Sequence, residues 1–168
     1  RCASLLTAFL LTYLTHAQQD RFAFAITDLQ QTGNGWNALR KLDLKTGQYS
    51  EVLFKGTDAT LSVFDAVTKK PFGSLEKARL APTELAPFAT GVAAMAYDKN
   101  NNRLYFTPMY IDQLRYLDLK TMKVYYITDQ TFTSFGNHND GGKIITRMVI
   151  APDGNGYAIT NDALSFIK

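Results

Sequence analysis

The densest group of side chains able to contact a ligand lies in one glycine- and asparagine-rich segment, Gly-Asn-His-Asn-Asp-Gly-Gly at 136–142. Within it, Asn137, His138 and Asp140 carry atoms that can bind a metal ion or hydrogen-bond a bound molecule. Asparagine, aspartate and glycine also stabilise loop backbones when no ligand is present. One histidine and one aspartate two positions apart do not define a metal site. The segment is therefore a candidate ligand-binding loop to which we assign no metal.

Two further candidates stand apart from this loop. Trp36 is the only tryptophan of the chain and lies in Gly-Asn-Gly-Trp-Asn at 33–37. An exposed indole can stack on a sugar or a peptide side chain, and it can equally pack over a neighbouring loop. Arg147 begins a predicted strand, where it can face an anionic ligand or form a structural ion pair.

Motifs that identify an enzyme class are absent from the sequence. It contains no nucleophile elbow, P-loop, HExxH, CxxC or dinucleotide fingerprint. The formal net charge is only +3, and the 18 Lys and Arg are scattered along the chain among 15 Asp and Glu. Nucleic acid is therefore not an expected partner. These features favour a binding protein, leave catalysis open and indicate no cofactor.

The first 17 residues are organised like a secretory signal peptide. Arg1 precedes an apolar run from Ala3 to Leu14, and Thr15-His16-Ala17 has the small residues of a cleavage site. The run is shorter than the roughly 20 apolar residues that span a bilayer, and no later segment reaches that length. The alternative is a buried N-terminal strand or helix. We expect cleavage after Ala17 and export to the periplasm, the cell surface or the medium.

A repeated pattern carries the prediction of the fold. Residues 95–107 and 148–160 align without a gap, and each reads as an apolar strand, a polar turn and a second strand ending in threonine. Leu-Asp-Leu-Lys-Thr occurs at both 42–46 and 117–121. Each repeat predicts four short antiparallel strands, A to D, which is the content of one β-propeller blade. The alternative is an unrelated β-sandwich.

The pattern predicts an all-β protein with about two and a half blades of four antiparallel strands after the signal peptide. The predicted segments of 18–168 are blade 1 without strand A at about 22–54, an insertion at 55–91, blade 2 at about 92–128, a loop at 129–145 and a partial blade 3 at about 146–168. The predicted strands are A near 92–97 and 146–151, B near 22–27, 104–109 and 157–160, C near 39–44, 114–119 and 164–168, and D near 49–54 and 124–128.

The insertion is expected to contain a short helix at 74–81 and to be anchored by Phe64, Phe72 and Phe88. Because propellers have about four to eight blades, we expect an incomplete ring that further C-terminal blades of the same chain complete.

The segment Ala-Pro-Asp-Gly-Asn-Gly-Tyr-Ala-Ile-Thr at 151–160 and the Leu-Asp-Leu-Lys-Thr segments resemble secreted bacterial β-propeller proteins, broadly of the NHL and gluconolactonase-like types. The region from about 22 to 168 also resembles exported propellers of Bacteroidetes-type bacteria. The resemblance implies a fold. Gluconolactonase-like enzymes bind a divalent metal near the central channel, which gives the alternative function of a metal-dependent, lactonase-like hydrolase. No glutamate after the signal peptide matches such a motif, so no metal ligand is transferred.

Loop lengths predict where a binding site lies. In a four-stranded meander, the A–B and C–D turns lie at one end, and the B–C and D–A connections lie at the other. The first set is short here, whereas the second includes 28–38, 55–91 and 129–145. Long connections in compact domains are usually functional or disordered. We therefore expect an exported binding or interaction module that presents this long-connection face to a peptide, glycan or protein partner.

Overall fold

The computed structural model describes residues 21–33, 35–58, 60–73, 82–128 and 141–168. Within these ranges the chain is all-β, as predicted, and forms three open sheets. The signal peptide predicted at 1–17, the helix predicted at 74–81 and the candidates Asn137, His138 and Asp140 lie outside the described ranges. The strands are β1 (Phe22–Asp28), β2 (Trp36–Asp43), β3 (Phe54–Lys55), β4 (Val63–Asp65), β5 (Val92–Asp98), β6 (Arg103–Pro108), β7 (Leu114–Asp118), β8 (Lys123–Thr128), β9 (Ile145–Ile150), β10 (Gly156–Thr160) and β11 (Phe166–Ile167), and Pro82–Leu85 form a 3-10 helix.

The second sheet contains the four strands predicted within residues 92–128. Strands β5, β6, β7 and β8 make an antiparallel meander in chain order, at the positions predicted for strands A to D of 92–128. Strand β4 then pairs in parallel with β8, with Phe64 opposite Tyr125, and adds a fifth strand. This fifth strand departs from the predicted four-stranded unit.

The first and third sheets each have three strands, in the orders β1-β2-β3 and β11-β10-β9. Strand β1 pairs with β2 along its whole length, from Phe22 opposite Asp43 to Asp28 opposite Trp36. It is the edge of its sheet among the described residues, and the expectation that this unit has no strand A stays a prediction because residues 1–20 lie outside the described ranges. Both sheets are narrower than the second because they have three strands and not five. Their outer strands, β3 and β11, contain only two residues each.

The main core lies between the first and second sheets. Its strand residues come from alternating positions, because side chains at every second position of a strand face the same side. They include Leu39, Phe54, Leu104, Phe106, Leu117 and Val124. Phe72 and Phe88, from the predicted insertion, belong to the same core, and the Phe88 ring lies 4.9 Å from the Phe106 ring. The third predicted anchor, Phe64, packs its ring 5.6 Å from that of Tyr125.

A smaller apolar cluster joins the second and third sheets. Ala94 of β5 packs with Ile145 of β9 and Ala158 of β10, and β5 lies beside β9. The buried Thr107 hydroxyl donates to the carbonyl oxygen of Ile145 over 2.9 Å. The second and third sheets are therefore joined by apolar packing and by a hydrogen bond from β6 to β9.

Four turns are built on an aspartate in the same way. Each carboxylate accepts hydrogen bonds from the backbone N–H groups two and three residues further on, as in an Asx turn. The four are Asp43, Asp65, Asp98 and Asp118. The residue four positions after each has a left-handed φ, namely 71° at Gly47, 60° at Lys69, 53° at Asn102 and 55° at Met122. The Asp65 turn connects β4 to the segment at Pro71 and Phe72, and it is not among the predicted turns.

Candidate functional site

An open cleft of about 500 Å³ is lined by residues from all three sheets. Trp36 comes from the first sheet, Val92 and Tyr110 come from the second, and Thr146 and Asn161 come from the third. Each lies in a connection of the long-connection face or at the start of the strand that follows one. The cleft is thus on the face where the loop lengths place a binding site.

Trp36 is the one sequence-predicted candidate that the structure places in this cleft. It is the first residue of β2, and 40% of its surface is exposed. Its indole N–H donates to the carbonyl oxygen of Gly33 over 3.0 Å, which fixes one edge of the ring. Trp36 also lines a second open cleft of about 510 Å³ together with Asp28, Arg40 and other residues of the first sheet.

Asp28 organises the loop that precedes Trp36. Its carboxylate accepts hydrogen bonds from the backbone N–H groups of Gln30 and Gly33, over 2.9 and 2.7 Å. Partial desolvation opposes ionisation, but these bonds and those from Thr32 and Gly35 outweigh it and hold the pKa of Asp28 below its usual range. A Cβ at Gly35 would lie 2.5 Å from the Asp28 carboxylate, so the loop can close this tightly only with glycine there.

Tyr110 lies in the connection between β6 and β7, and sequence reasoning did not select it. It has a φ of 60°, in the left-handed region that a tyrosine rarely adopts. Its side chain is 65% exposed, whereas the next three residues, Ile111, Asp112 and Gln113, are all buried. The connection is thus anchored in the fold and projects one aromatic ring beside the cleft. No local sequence pattern identifies this position, because tertiary contacts impose its backbone conformation.

The contacts that fix Tyr110 come from the segment before β5. The backbone N–H of Met109 donates to the carbonyl oxygen of Gly91 over 2.7 Å, and the Thr90 hydroxyl donates to the carbonyl oxygen of Met109. Gly91 has a φ of 106°, and a Cβ there would lie 3.4 Å from the backbone oxygen of Trp36. The walls that carry Trp36 and Tyr110 are therefore held against the same short segment.

A buried arginine holds the earlier part of the segment before β5, at residues 84–87, on the second sheet. Arg115 of β7 is fully buried, and its guanidinium donates to the carbonyl oxygens of Glu84, Ala86 and Pro87 and to the side-chain oxygen of Gln113. Burial lowers the pKa of Arg115 to about 10, although the charge of Glu84 opposes the shift, so the group is still cationic at neutral pH. Arg115 thus positions one wall of the cleft without lining it.

The polar side chains that line the cleft within the described ranges are uncharged. The Thr146 hydroxyl is buried and has no hydrogen-bond partner among the described residues. The Asn161 side-chain amide donates to the carbonyl oxygen of Gly141 over 3.1 Å. Gly141 also lines the cleft and directly follows the predicted ligand-binding residues Asn137, His138 and Asp140, whose own positions lie outside the described ranges.

Arg147 is not brought to the cleft. It is exposed in the middle of β9, opposite Ile159 of β10. Its neighbour Thr146 lines the cleft, and successive side chains of a strand point to opposite faces. A role for Arg147 toward an anionic ligand stays a prediction that this cleft does not support.

Neither a cluster of potential metal ligands nor a candidate membrane-spanning helix occurs in the described ranges. No group of three or more His, Cys, Asp or Glu able to hold a metal ion occurs there. In the same part of the chain, no helix has both the length and the apolar character needed to cross a membrane. The metal-dependent, lactonase-like alternative stays an untested prediction.

Comparison with known proteins does not assign the chain to a family. No protein-family model matches the sequence. A search of curated proteins likewise finds no match. The resemblance to bacterial propellers therefore stands on the sequence pattern alone.

Proposed function

We propose that the chain is part of an exported β-propeller that binds a peptide, a glycan or a protein partner in the cleft beside Trp36 and Tyr110. The observation that carries this proposal is the position of the cleft, which connections of all three sheets line on the face predicted to bind. Ligand pockets are concave, largely apolar and provided with a few polar groups. This cleft has the same composition.

The propeller part of the proposal is supported by how the sheets are built and placed. The meander β5 to β8 has the strand order of a blade, and the corresponding inner strands β5 and β9 lie side by side. Three open sheets are fewer than a ring needs, so the proposed ring includes further blades. Strand β4 is then an addition at the outer edge of the second blade.

The export part of the proposal is supported by the sequence of the first 17 residues. An exported module with a concave, aromatic cleft suits binding at the periplasm or cell surface. No step of catalysis is assigned to any residue.

Because Trp36 is the only tryptophan, its fluorescence reports on a ligand bound in either of the two clefts that it lines, and a variant of Tyr110, which lines only the first of them among the described residues, distinguishes the two. The full chain is screened against an oligosaccharide array and a random-peptide phage library, and each hit is titrated while the emission of Trp36 is followed. We expect hits that change this emission and that bind more weakly to the Tyr110→Asn variant. Lys120→Ala, in the exposed turn between β7 and β8 at the other end of the strands, is the matched control and is expected to bind normally.

Two results would contradict the proposed function. One is a screen in which no probe changes the emission of Trp36. The other is a set of hits that bind the Tyr110→Asn variant as well as they bind the unmodified chain. In the second case the binding surface lies away from this cleft.

A further inference from the structure

We infer that the ligand class of this cleft is a neutral saccharide, held between Trp36 and Tyr110. The inference rests on the proposed function and narrows it from three ligand classes to one. Three independent features carry it: the exposed tyrosine on a left-handed backbone, the unpartnered hydroxyl of Thr146, and the uncharged character of the described wall.

Tyr110 has the character of a ligand-contacting residue. A left-handed backbone is unfavourable for a residue with a large side chain, and such conformations are kept where the surrounding structure imposes them, often at binding sites. Tyr110 is 65% exposed, so burial of its ring contributes little to the stability of the core. Asparagine tolerates this conformation better. The tyrosine at this position is therefore explained by contact between its exposed ring and a ligand.

Trp36 supplies a second aromatic surface to the same cleft. Its N–H is already bonded to Gly33, so the indole presents its apolar faces and leaves no donor free. A sugar ring has an apolar face of C–H groups and a rim of hydroxyls. Aromatic side chains bind such amphipathic groups through the apolar face and leave the rim to polar partners.

The polar groups of the cleft match that rim. The buried Thr146 hydroxyl has no partner among the described residues, and an unsatisfied buried polar atom is costly until a ligand or water pairs with it. Asn161 adds a side-chain amide. None of the described lining residues is charged, and a charged ligand would lose its hydration there without gaining a counter-charge. The wall therefore favours a neutral, hydroxyl-rich molecule.

A peptide fits the cleft less well. Extended peptides are commonly bound by main-chain pairing along an exposed strand edge, with pockets for alternate side chains. Among the described strands, only the first residues of β2, β5 and β9 reach this cleft, at Trp36, Val92, Ala93 and Thr146, so these strands offer no continuous edge for pairing. A peptide ligand is therefore one of the outcomes that the experiment must detect.

The test titrates the full chain with defined probes. The neutral probes are cellohexaose, maltohexaose and hexa-N-acetylchitohexaose, the anionic probe is a galacturonic acid hexamer, and the peptide probe is an uncharged decapeptide rich in Ser, Gly and Tyr. Trp36 emission and calorimetry are both recorded. We expect at least one neutral hexasaccharide to bind and to change the emission, and the anionic and peptide probes not to bind.

Variants separate a ligand contact from a structural role. Tyr110→Asn is expected to weaken saccharide binding about tenfold, the effect of losing one stacked ring, and to unfold at the same or a higher temperature. Tyr110→Phe is expected to retain binding. Thr146→Val removes the hydroxyl at nearly constant volume and is expected to weaken binding by a similar factor.

The possible failures are distinguishable. Binding of the decapeptide or of the galacturonic acid hexamer, with an emission change and a loss in Tyr110→Asn, overturns the saccharide inference and leaves the proposed function standing. Binding of no probe overturns the inference as well, while the wider screen described above decides the proposed function. Saccharide binding that survives Tyr110→Asn and Thr146→Val overturns both. A lower melting temperature in Tyr110→Asn assigns the ring a structural role and overturns the inference.

Discussion

Replacing Arg115 with methionine tests how the cleft wall is attached to the second sheet. Methionine fills much of the volume of the arginine stem but donates no hydrogen bond. The change removes the bonds to the backbone oxygens of Glu84, Ala86 and Pro87, at 2.5, 2.8 and 3.1 Å, and two bonds to the side chain of Gln113, at 3.0 and 2.7 Å. Three backbone carbonyls thereby lose a donor; the hydrogen bond to Pro87 is buried, and those to Glu84 and Ala86 are partly buried, so water is hindered from replacing the donor.

The expected loss in the free energy of unfolding is about 3 kcal/mol. It follows from about 1 kcal/mol for each of the three carbonyls that lose their donor, and it is a large part of the 5–15 kcal/mol typical of a domain. Removing the desolvated guanidinium works in the opposite direction, since replacing buried charges by apolar groups is often neutral. The result therefore measures whether the hydrogen bonds or the desolvation of the cation dominate.

The assay is urea unfolding of the full chain, with the change in midpoint multiplied by the shared slope. Arg147→Met is the matched control, because Arg147 is exposed on β9 and its replacement is expected to change stability by less than about 0.5 kcal/mol. A loss for Arg115→Met no larger than that of the control would refute the reasoning. In that case the free energy lost in desolvating the guanidinium is as large as the free energy gained from its hydrogen bonds.

Two further predictions concern the core and the third sheet. Gly56→Ala is expected to destabilise the fold by roughly 2 kcal/mol or more, because the new Cβ would lie 2.1 Å from the ring of Phe88, and an unchanged melting temperature would show that the ring moves aside freely. For Asp162, hydrogen bonds from the Thr160 hydroxyl and the Leu164 N–H, and then the Lys143 ammonium, lower the pKa to about 2. The unfolded chain takes up this proton near pH 4, so the stabilising contribution is complete above that pH and is lost as the pH falls from about 4 to 2. Melting curves at pH 5 and pH 2.5 should therefore differ less for Asp162→Asn than for the unmodified chain, and equal differences would contradict this account.

The sequence predicts the strands of the second sheet well for a physical reason. Apolar side chains alternate along 92–128, and an aspartate begins each of its two short hairpin turns, at Asp98 and Asp118. Both signals are local, so they can be read without knowing the fold. The hairpin that begins with β4 has the same local signal in Asp65-Ala-Val-Thr68. It is missed because a proline at 71 interrupts the strand that follows the turn, whereas no proline follows the other three aspartate turns at this distance.

The candidate site is only partly readable from the sequence. Trp36 is selected by its residue type, and the cleft that it lines lies at the end of the strands that the loop lengths single out, while binding there stays a prediction. Arg115 and Tyr110 are not selected. Nothing in Leu-Arg-Tyr-Leu-Asp at 114–118 distinguishes a buried arginine from an exposed one, and no local pattern marks Tyr110. Long-range contacts decide both positions, since the oxygens that bind Arg115 lie about 30 residues away along the chain.

These long-range contacts form a continuous series from the core to the connection that carries Tyr110. Arg115 fixes the carbonyls that precede the turn leading to Thr90 and Gly91. Those two residues hold Met109 through its carbonyl oxygen and its N–H, and Met109 fixes the start of the connection that carries Tyr110. Sites built on supported backbones keep their geometry better than sites on free loops. The left-handed conformation of Tyr110 persists because the core imposes it, and a ligand that stacks on the ring meets a group whose ordering cost was already met during folding.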